Sequence, residues 1–145
     1  MKELAVYDKE AEEITLGCVL IDGELFPKLF SMVKGMDFFT DHCRHTFLAM
    51  TNLHKRNVPI DQYLVARELT DLGWREDVSS LSRMVYLCPT SYHMEHYAMV
   101  VKKFAEKRVK IITAEYKLQE AFKGKNEIKG ITLCAPLLSP PLPHP

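Results

Sequence analysis

Apolar residues recur every three or four positions along most of the chain, the spacing that places them on one face of an α-helix. Asp8 is positioned to cap a first helix, and Asp22-Gly23 is positioned to end it. The buried stripe of this helix is predicted to be Ala11, Ile14, Cys18 and Ile21. Its first turn holds three acidic residues that suit the positive end of a helix dipole, namely Glu10, Glu12 and Glu13.

Three shorter helices are predicted to follow. The second covers residues 24–33, with Pro27 tolerated in its first turn. Thr40 is a candidate cap for the third helix and Asp61 for the fourth, while Gly73 suits a left-handed position just past the fourth. The predicted apolar stripes are Cys43, Phe47, Met50 and His54 in the third helix and Val65, Leu69 and Leu72 in the fourth.

A short fifth helix is predicted over residues 80–87, and a much longer one over residues 93–122, which contain no proline or glycine. A heptad-like seam runs along the long helix through Tyr97, Val101, Phe104, Arg108, Ile111, Glu115, Leu118 and Phe122. A second apolar set lies on another face, at Ala105, Val109, Ile112 and Tyr116. A helix that is apolar on two sides needs two neighbours, so a hairpin partner or another chain must supply one of them.

The end of the chain has a different composition. Gly124 is predicted to begin a turn, and five of the eight prolines lie in the last ten residues. We therefore predict an all-α fold, a compact multi-helix bundle followed by a long helix that is the first arm of a helical hairpin. The expected divisions are a globular bundle over 8–91, the long helix and its turn over 92–130, and a disordered Pro-rich tail over 131–145.

Composition and charge narrow the function classes. Hydrophobic residues make up 47% and charged residues 26%, and nineteen basic side chains balance nineteen acidic ones. A neutral chain gives no reason to expect strong binding to a phosphate backbone. No apolar run is long enough for a membrane span, and no secretory signal is evident, so the four widely spaced cysteines are expected to be free thiols in the cytoplasm.

Sequence motifs for catalysis are missing. Gly124-Lys125 and Lys129-Gly130 do not meet the spacing of a phosphate-binding loop, so we expect no ATP hydrolysis. No nucleophile–base pattern supports a hydrolase. His42, Cys43 and His45 lie close together, but no second cluster could complete a zinc site. We expect Cys43 to pack in the core and the two histidines to cap a helix or face solvent, with no cofactor or metal.

A basic run marks the long helix, comprising Lys102, Lys103, Lys107, Arg108 and Lys110. It is consistent with a solvated helix face, with association with an acidic surface, or with weak contact to single-stranded DNA. Arg108 differs from the others because it lies in the apolar seam, where an unpaired charge is costly. We expect it to pair with an acid of the bundle or with Glu115 of a second chain.

Several short motifs occur in a fixed order. They are Ala11-Glu12, Leu16-Gly17, Asp37-Phe38-Phe39, Pro59-Ile60-Asp61, Tyr86-Leu87, His96-Tyr97-Ala98 and Arg108. In this order, over about residues 8–123, the chain resembles the N-terminal domain of DnaB-type bacterial replicative DNA helicases. The resemblance implies a helical interaction module that forms a collar on a hexameric motor, and it implies that Gly17 permits close approach of another backbone or a bulky side chain.

The resemblance also implies partners. Tyr86 and Ile111 match positions at which family members dock the C-terminal domain of primase; the alternative is that both are core residues. The expected partners are further copies of the chain and either primase or a helicase loader, with weak or no direct DNA binding. The self-association residues predicted from the seam and the family's paired hairpins are Val101, Phe104, Arg108, Ile111 and Leu118.

A free-standing DNA-binding regulator is the alternative, because residues 40–72 have the spacing of a helix-turn-helix. A recognition helix presents basic and amide side chains to the groove. The fourth helix offers Gln62 and Arg67 for that purpose. It also carries three acidic residues, Asp61, Glu68 and Asp71, which oppose binding to DNA.

Overall fold

The computed structural model describes residues 5–126, and this stretch is all-α with no strand. The helices are α1 (Lys9–Ile21), α2 (Phe26–Met32), α3 (Asp41–Lys55), α4 (Gln62–Asp71), α5 (Val78–Leu87) and α6 (Met94–Asn126). Four single 3-10 turns precede α2, α3, α5 and α6, at Gly23–Leu25, Gly35–Asp37, Arg75–Asp77 and Ser91–His93. The predicted fold class, a multi-helix bundle followed by a long helix, is confirmed.

The predicted helix starts are largely confirmed by their caps. The Asp8 carboxylate accepts a hydrogen bond from the Ala11 amide at 3.0 Å, and Asp61 accepts one from the Leu64 amide at 2.8 Å. Gly73 has φ +90° just past α4, where only glycine is unstrained. Thr40 precedes α3 as predicted, but its hydroxyl donates to Glu12 instead of capping the helix.

Some predicted boundaries shift. The predicted second helix is divided into a 3-10 turn and α2, with Pro27 in the first turn of α2. Helix α5 begins at Val78, two residues earlier than predicted. Helix α6 continues through Gly124 to Asn126, so the turn predicted at Gly124 is wrong. The predicted Pro-rich tail, residues 131–145, and Cys134 lie outside the described residues.

The core lies among α1 to α5 and the first turns of α6. Three phenylalanines form its aromatic centre, with ring centroids 5.5 Å apart for Phe26 and Phe47 and 5.2 Å for Phe38 and Phe47. Two predicted stripes are shorter than expected, because Ile21 is 49% exposed and Leu72 is 37% exposed. Both residues lie where their helix ends, so the neighbouring helices no longer cover them.

The chain divides into two compact units, with the boundary between Ala105 and Glu106 inside α6. The second unit, as far as it is described, is the outer part of α6. Most of its apolar side chains are exposed, namely Val109, Ile112, Tyr116, Leu118 and Phe122. Within residues 5–126, no helix is long and apolar enough to cross a membrane.

Candidate functional site

Two buried carboxylates on α1, those of Glu12 and Glu13, bond to the helices and turns that carry the candidate binding surfaces. Glu12, 1% exposed, accepts hydrogen bonds from the amides of Phe39 and Thr40 at 2.8 and 3.1 Å and from the Thr40 hydroxyl at 2.7 Å. These bonds satisfy a buried charge and hold the turn that enters α3. The expectation that Glu12 serves the α1 dipole therefore misses its main contacts, which are tertiary.

Glu13 joins three helices. One of its carboxylate oxygens lies 2.8 Å from Nε2 of His42 in α3, and the other accepts a hydrogen bond from Nε of Arg83 in α5 at 3.2 Å. The Glu13 side chain is only 1% exposed, whereas Arg83 is 53% exposed. The prediction that His42 caps a helix or faces solvent is wrong, because the histidine bonds to a buried carboxylate of another helix.

His45 makes a comparable tertiary contact. Its Nδ1 lies 2.6 Å from Oδ2 of Asp77, and its ring stacks on Trp74 with centroids 3.7 Å apart and an interplanar angle of 3°. The expectation of a capping or solvent-facing His45 is therefore also wrong. Cys43 is fully buried as predicted, and this burial raises the pKa of its thiol. No three potential metal ligands converge among the described residues.

Gly17 sets the position of α5. A β-carbon added there would lie 2.2 Å from the carbonyl oxygen of Met84, so the backbones of α1 and α5 touch at this point. The close approach predicted for Gly17 is confirmed. Glu13 and Arg83 join the same two helices one turn away, so α5 is held both by packing and by an ion pair.

The outer face of α5 presents Tyr86, which is 87% exposed. The alternative that Tyr86 is a core residue is therefore wrong. An exposed tyrosine on a firmly packed helix combines a large apolar area with little conformational entropy to lose on binding, which is typical of residues that dominate protein interfaces. Tyr92, in the 3-10 turn before α6, is similarly exposed at 91%.

The predicted self-association residues do not share one environment. Val101 is 2% exposed and belongs to the core of its own chain, which excludes it from an intermolecular surface in this fold. Phe104, Arg108 and Ile111 are partly buried, and Leu118 is 60% exposed. Three members of the second apolar set, which was not assigned to the site, are largely exposed, at 62% for Val109, 52% for Ile112 and 60% for Tyr116, whereas Ala105 is buried and only 6% exposed. The spacing of three and four residues between its members was the sequence signal that could have identified this face.

One lysine of the basic run on α6 and one glutamate of α4 form ion pairs. Lys102 donates to Asp37 at 3.2 Å, which joins α6 to the 3-10 turn Gly35–Asp37. In α4, Glu68 binds Arg56 at 2.7 Å, and this hydrogen bond lowers the pKa of Glu68 against the opposing effect of burial. The α4 face that contains Arg67 also carries Asp71, an arrangement unlike a DNA-recognition surface.

These features define an all-α domain: among the described residues, a helical bundle leads into a long helix, buried charge pairs join the helices, and aromatic side chains are exposed. Residues 5–103 match the family described as the DnaB-like helicase N terminal domain. The match spans well over half of the sequence, so the chain belongs to this family.

A curated relative and solved structures agree with this assignment. The chain is 26% identical over 125 residues to the replicative DNA helicase DnaB of Leifsonia xyli subsp. xyli (strain CTCB07); the match covers 84% of the chain but only 27% of the helicase. The N-terminal domain of DnaB helicase from Mycobacterium tuberculosis superposes with a TM-score of 0.79 at 24% identity, over 83% of this chain and 88% of that one.

A second solved structure is the N-terminal domain of DnaB helicase from Helicobacter pylori, which was determined together with a study of its interactions with primase. It has a TM-score of 0.68 at 19% identity and covers 79% of this chain and 91% of that one. At these identities the structural matches show the shared fold. The chain thus corresponds to the N-terminal region of much longer helicases.

Proposed function

We propose that this chain is a non-catalytic interaction domain for DNA replication, which binds the C-terminal domain of primase or a helicase loader and associates with further copies of itself. The observation that carries the proposal is the exposure of Tyr86 on α5. The resemblance to the helicase family matches this residue to a position at which family members dock primase. The proposal implies a cytoplasmic protein. We expect no nucleotide hydrolysis, and DNA-stimulated ATP turnover by the purified chain would contradict this role.

Contacts with α1 hold α5, which carries the proposed docking surface, in place. Gly17 allows α1 to touch the backbone of α5, and Glu13 bonds to Arg83, which lies one turn before Tyr86. Residues three apart lie on the same side of a helix, so the partly exposed Arg83 and the exposed Tyr86 belong to one side of α5. An aromatic anchor beside a positive charge suits a protein partner that offers an apolar pocket with an acidic rim.

The outer part of α6 is a second proposed surface. Val109, Ile112 and Tyr116 are all more than half exposed, and Leu118 is exposed on the neighbouring seam. A soluble protein rarely leaves such a continuous apolar stretch uncovered, so a second copy of α6 is a suitable partner for it. Ile111 is partly buried in the same segment, and we retain it as a second proposed docking residue for primase.

Titration of the C-terminal domain of the cognate primase, the loader and a DNA oligonucleotide, each at near-physiological salt, tests the docking proposal. We expect measurable binding to primase or the loader and much weaker binding to DNA, because the net formal charge is zero. Tyr86→Ala should weaken protein binding by about tenfold or more.

Tyr92→Ala is the matched control, because this tyrosine is equally exposed but lies outside α5. It should change the affinity by less than about threefold. Equal losses for the two variants would show that Tyr86 is not a specific anchor. Tight, sequence-specific DNA binding without binding to either protein would favour the DNA-binding regulator instead.

A further inference from the structure

Two cysteines that are far apart in sequence meet inside the bundle. Sγ of Cys18, toward the C-terminal end of α1, lies 3.3 Å from Sγ of Cys88, the residue that follows α5. Both sulfur atoms also approach the carbonyl oxygen of Thr90, at 3.6 Å from Cys18 and 3.3 Å from Cys88. The pair therefore lies where α1, the end of α5 and the connection to α6 converge.

The close approach of the sulfur atoms follows from the packing of the two backbones. A β-carbon on Gly17 would lie 3.2 Å from Cβ of Cys88, so the residue next to Cys18 is already in contact with the end of α5. A disulfide needs its sulfur atoms about 2 Å apart, so a movement of roughly one ångström suffices. Rotation of the two side chains can supply such a movement without separating the helices.

We propose that Cys18 and Cys88 are a redox modification site, a thiol pair that a peroxide converts into a reversible disulfide between α1 and the end of α5. In the first step the Cys88 sulfur attacks hydrogen peroxide, breaks the O–O bond and becomes a sulfenic acid, with release of one water molecule. In the second step the Cys18 sulfur attacks the sulfenic sulfur, the S–S bond forms and a second water leaves. Two thiols are oxidised, and one peroxide is reduced to two waters.

The burial of the two thiols assigns their order of reaction. Cys88 is 7% exposed and Cys18 is 0% exposed, so an oxidant from solvent meets Cys88 first. Burial, together with the hydrogen bond to Cys88, raises the pKa of Cys18 to about 12, so its thiolate, the form that attacks the sulfenic sulfur, is scarce. The reaction is therefore slow, and the pair responds to sustained oxidation instead of brief exposure.

The disulfide would join residues 70 positions apart. Such a cross-link limits the conformations of the unfolded chain and so stabilises the folded one, provided that the native geometry is kept. Reduction by a small dithiol restores the two thiols and the original stability. This inference does not depend on the proposed function, because it needs no partner protein.

The test uses the full chain with Cys134→Ser, so that this cysteine, which lies outside the described residues, cannot take part in a disulfide. Folded protein is incubated with hydrogen peroxide, the remaining thiols are alkylated, and tryptic peptides are analysed by mass spectrometry. We expect peptides 10–28 and 84–102 to be linked. The linked pair should be about 2 Da lighter than the sum of the two reduced peptides, and dithiothreitol should separate it into those peptides. Its Tm should rise by roughly 5 °C or more.

Three further variants sharpen the result. Cys18→Ser and Cys88→Ser should each abolish the linked peptide and the rise in Tm, whereas Cys43→Ala, which changes another buried thiol, should leave the linked peptide intact. The linked peptide is detected by mass, so a loss of stability in any variant does not obscure it. The proposal is overturned if Cys88 proceeds to sulfinic acid with Cys18 still reduced, or if both thiols stay reduced while the protein is folded.

Discussion

A β-carbon on Gly17 of α1 would lie 2.2 Å from the carbonyl oxygen of Met84 in α5. The carbonyl belongs to the helix backbone, so it cannot rotate away as the end of a flexible side chain can. The absence of a side chain at Gly17 therefore determines how near α5 lies to α1. The position of Tyr86, two residues beyond Met84, depends on this contact.

Gly17→Ala is expected to lower the free energy of unfolding by about 2 kcal/mol or more, because the added methyl group forces two helix backbones apart. Urea denaturation followed by circular dichroism measures the change. Gly35→Ala is the matched control, since its nearest neighbour would be a Phe47 ring carbon at 3.8 Å, an ordinary contact. The control should stay within about 0.5 kcal/mol of the original protein. Similar losses for both variants would contradict the proposed backbone contact.

Glu13→Gln is expected to destabilise the fold by about 2 kcal/mol, because it removes the charge that faces Arg83 and leaves the histidine bond with a neutral partner. The partly exposed Arg83 is screened by water, which keeps the loss below that of a fully buried pair. Glu10→Gln makes the same chemical change at an exposed position of the same helix, and it should cost less than about 0.5 kcal/mol. Thermal or urea denaturation of both variants distinguishes them.

Glu68 should make a pH-dependent contribution to stability. Hydrogen bonds from Arg56 hold the pKa of Glu68 below its ordinary value of 4.5 in the folded chain. Its contribution is therefore complete above that value and is lost as the pH falls through the lower, folded pKa. We expect Glu68→Gln to cost on the order of 1 kcal/mol at about pH 7 and less at about pH 3, which lies below the ordinary value of 4.5.

The double variant Glu68→Gln with Arg56→Gln checks the cause. If the two residues act through their mutual bond, the double variant should lose less than the sum of the single losses at neutral pH. Urea denaturation at the two pH values provides all the required free energies. Additive losses would mean that the Arg56–Glu68 bond is not the source of the pH dependence.

Self-association should depend on the exposed apolar face of outer α6. Ile112→Glu combined with Tyr116→Glu should convert a dimer or larger species into a monomer in light scattering at micromolar concentrations, because both side chains are exposed and their replacement leaves the core intact. Lys110→Glu with Lys117→Glu adds negative charge on the polar face of the same helix and should preserve the association. A strictly monomeric original protein, or equal dissociation by both pairs, would contradict the surface.

Helix caps and the turn after α4 could be predicted from the sequence because the residues that form them lie within a few positions of one another. Asp8 and Asp61 cap their helices through the amide three positions ahead, and Gly73 adopts the left-handed conformation that ends α4. The order of the motifs also identified the family, and Gly17 was correctly assigned to a close backbone contact.

Hydrogen-bond partners that lie far away in the sequence could not be predicted in the same way. His42 and His45 stand beside Cys43 in sequence, which suggested either a metal site or a solvated face. Their carboxylate partners come from residues 29 and 32 positions away, Glu13 and Asp77. The helical period specifies the face on which a side chain lies, but it does not specify which residue of another helix it meets.

Helix α6 shows what the sequence by itself determined and what only the tertiary structure decided. The sequence determined that a long helix carries apolar residues on two faces, because periodicity follows from residue spacing alone. The tertiary structure decided that Val101 is buried while Val109 is 62% exposed. The physical reason is that other helices of the first unit pack against the first turns of α6, and no local pattern records where a neighbouring helix stops.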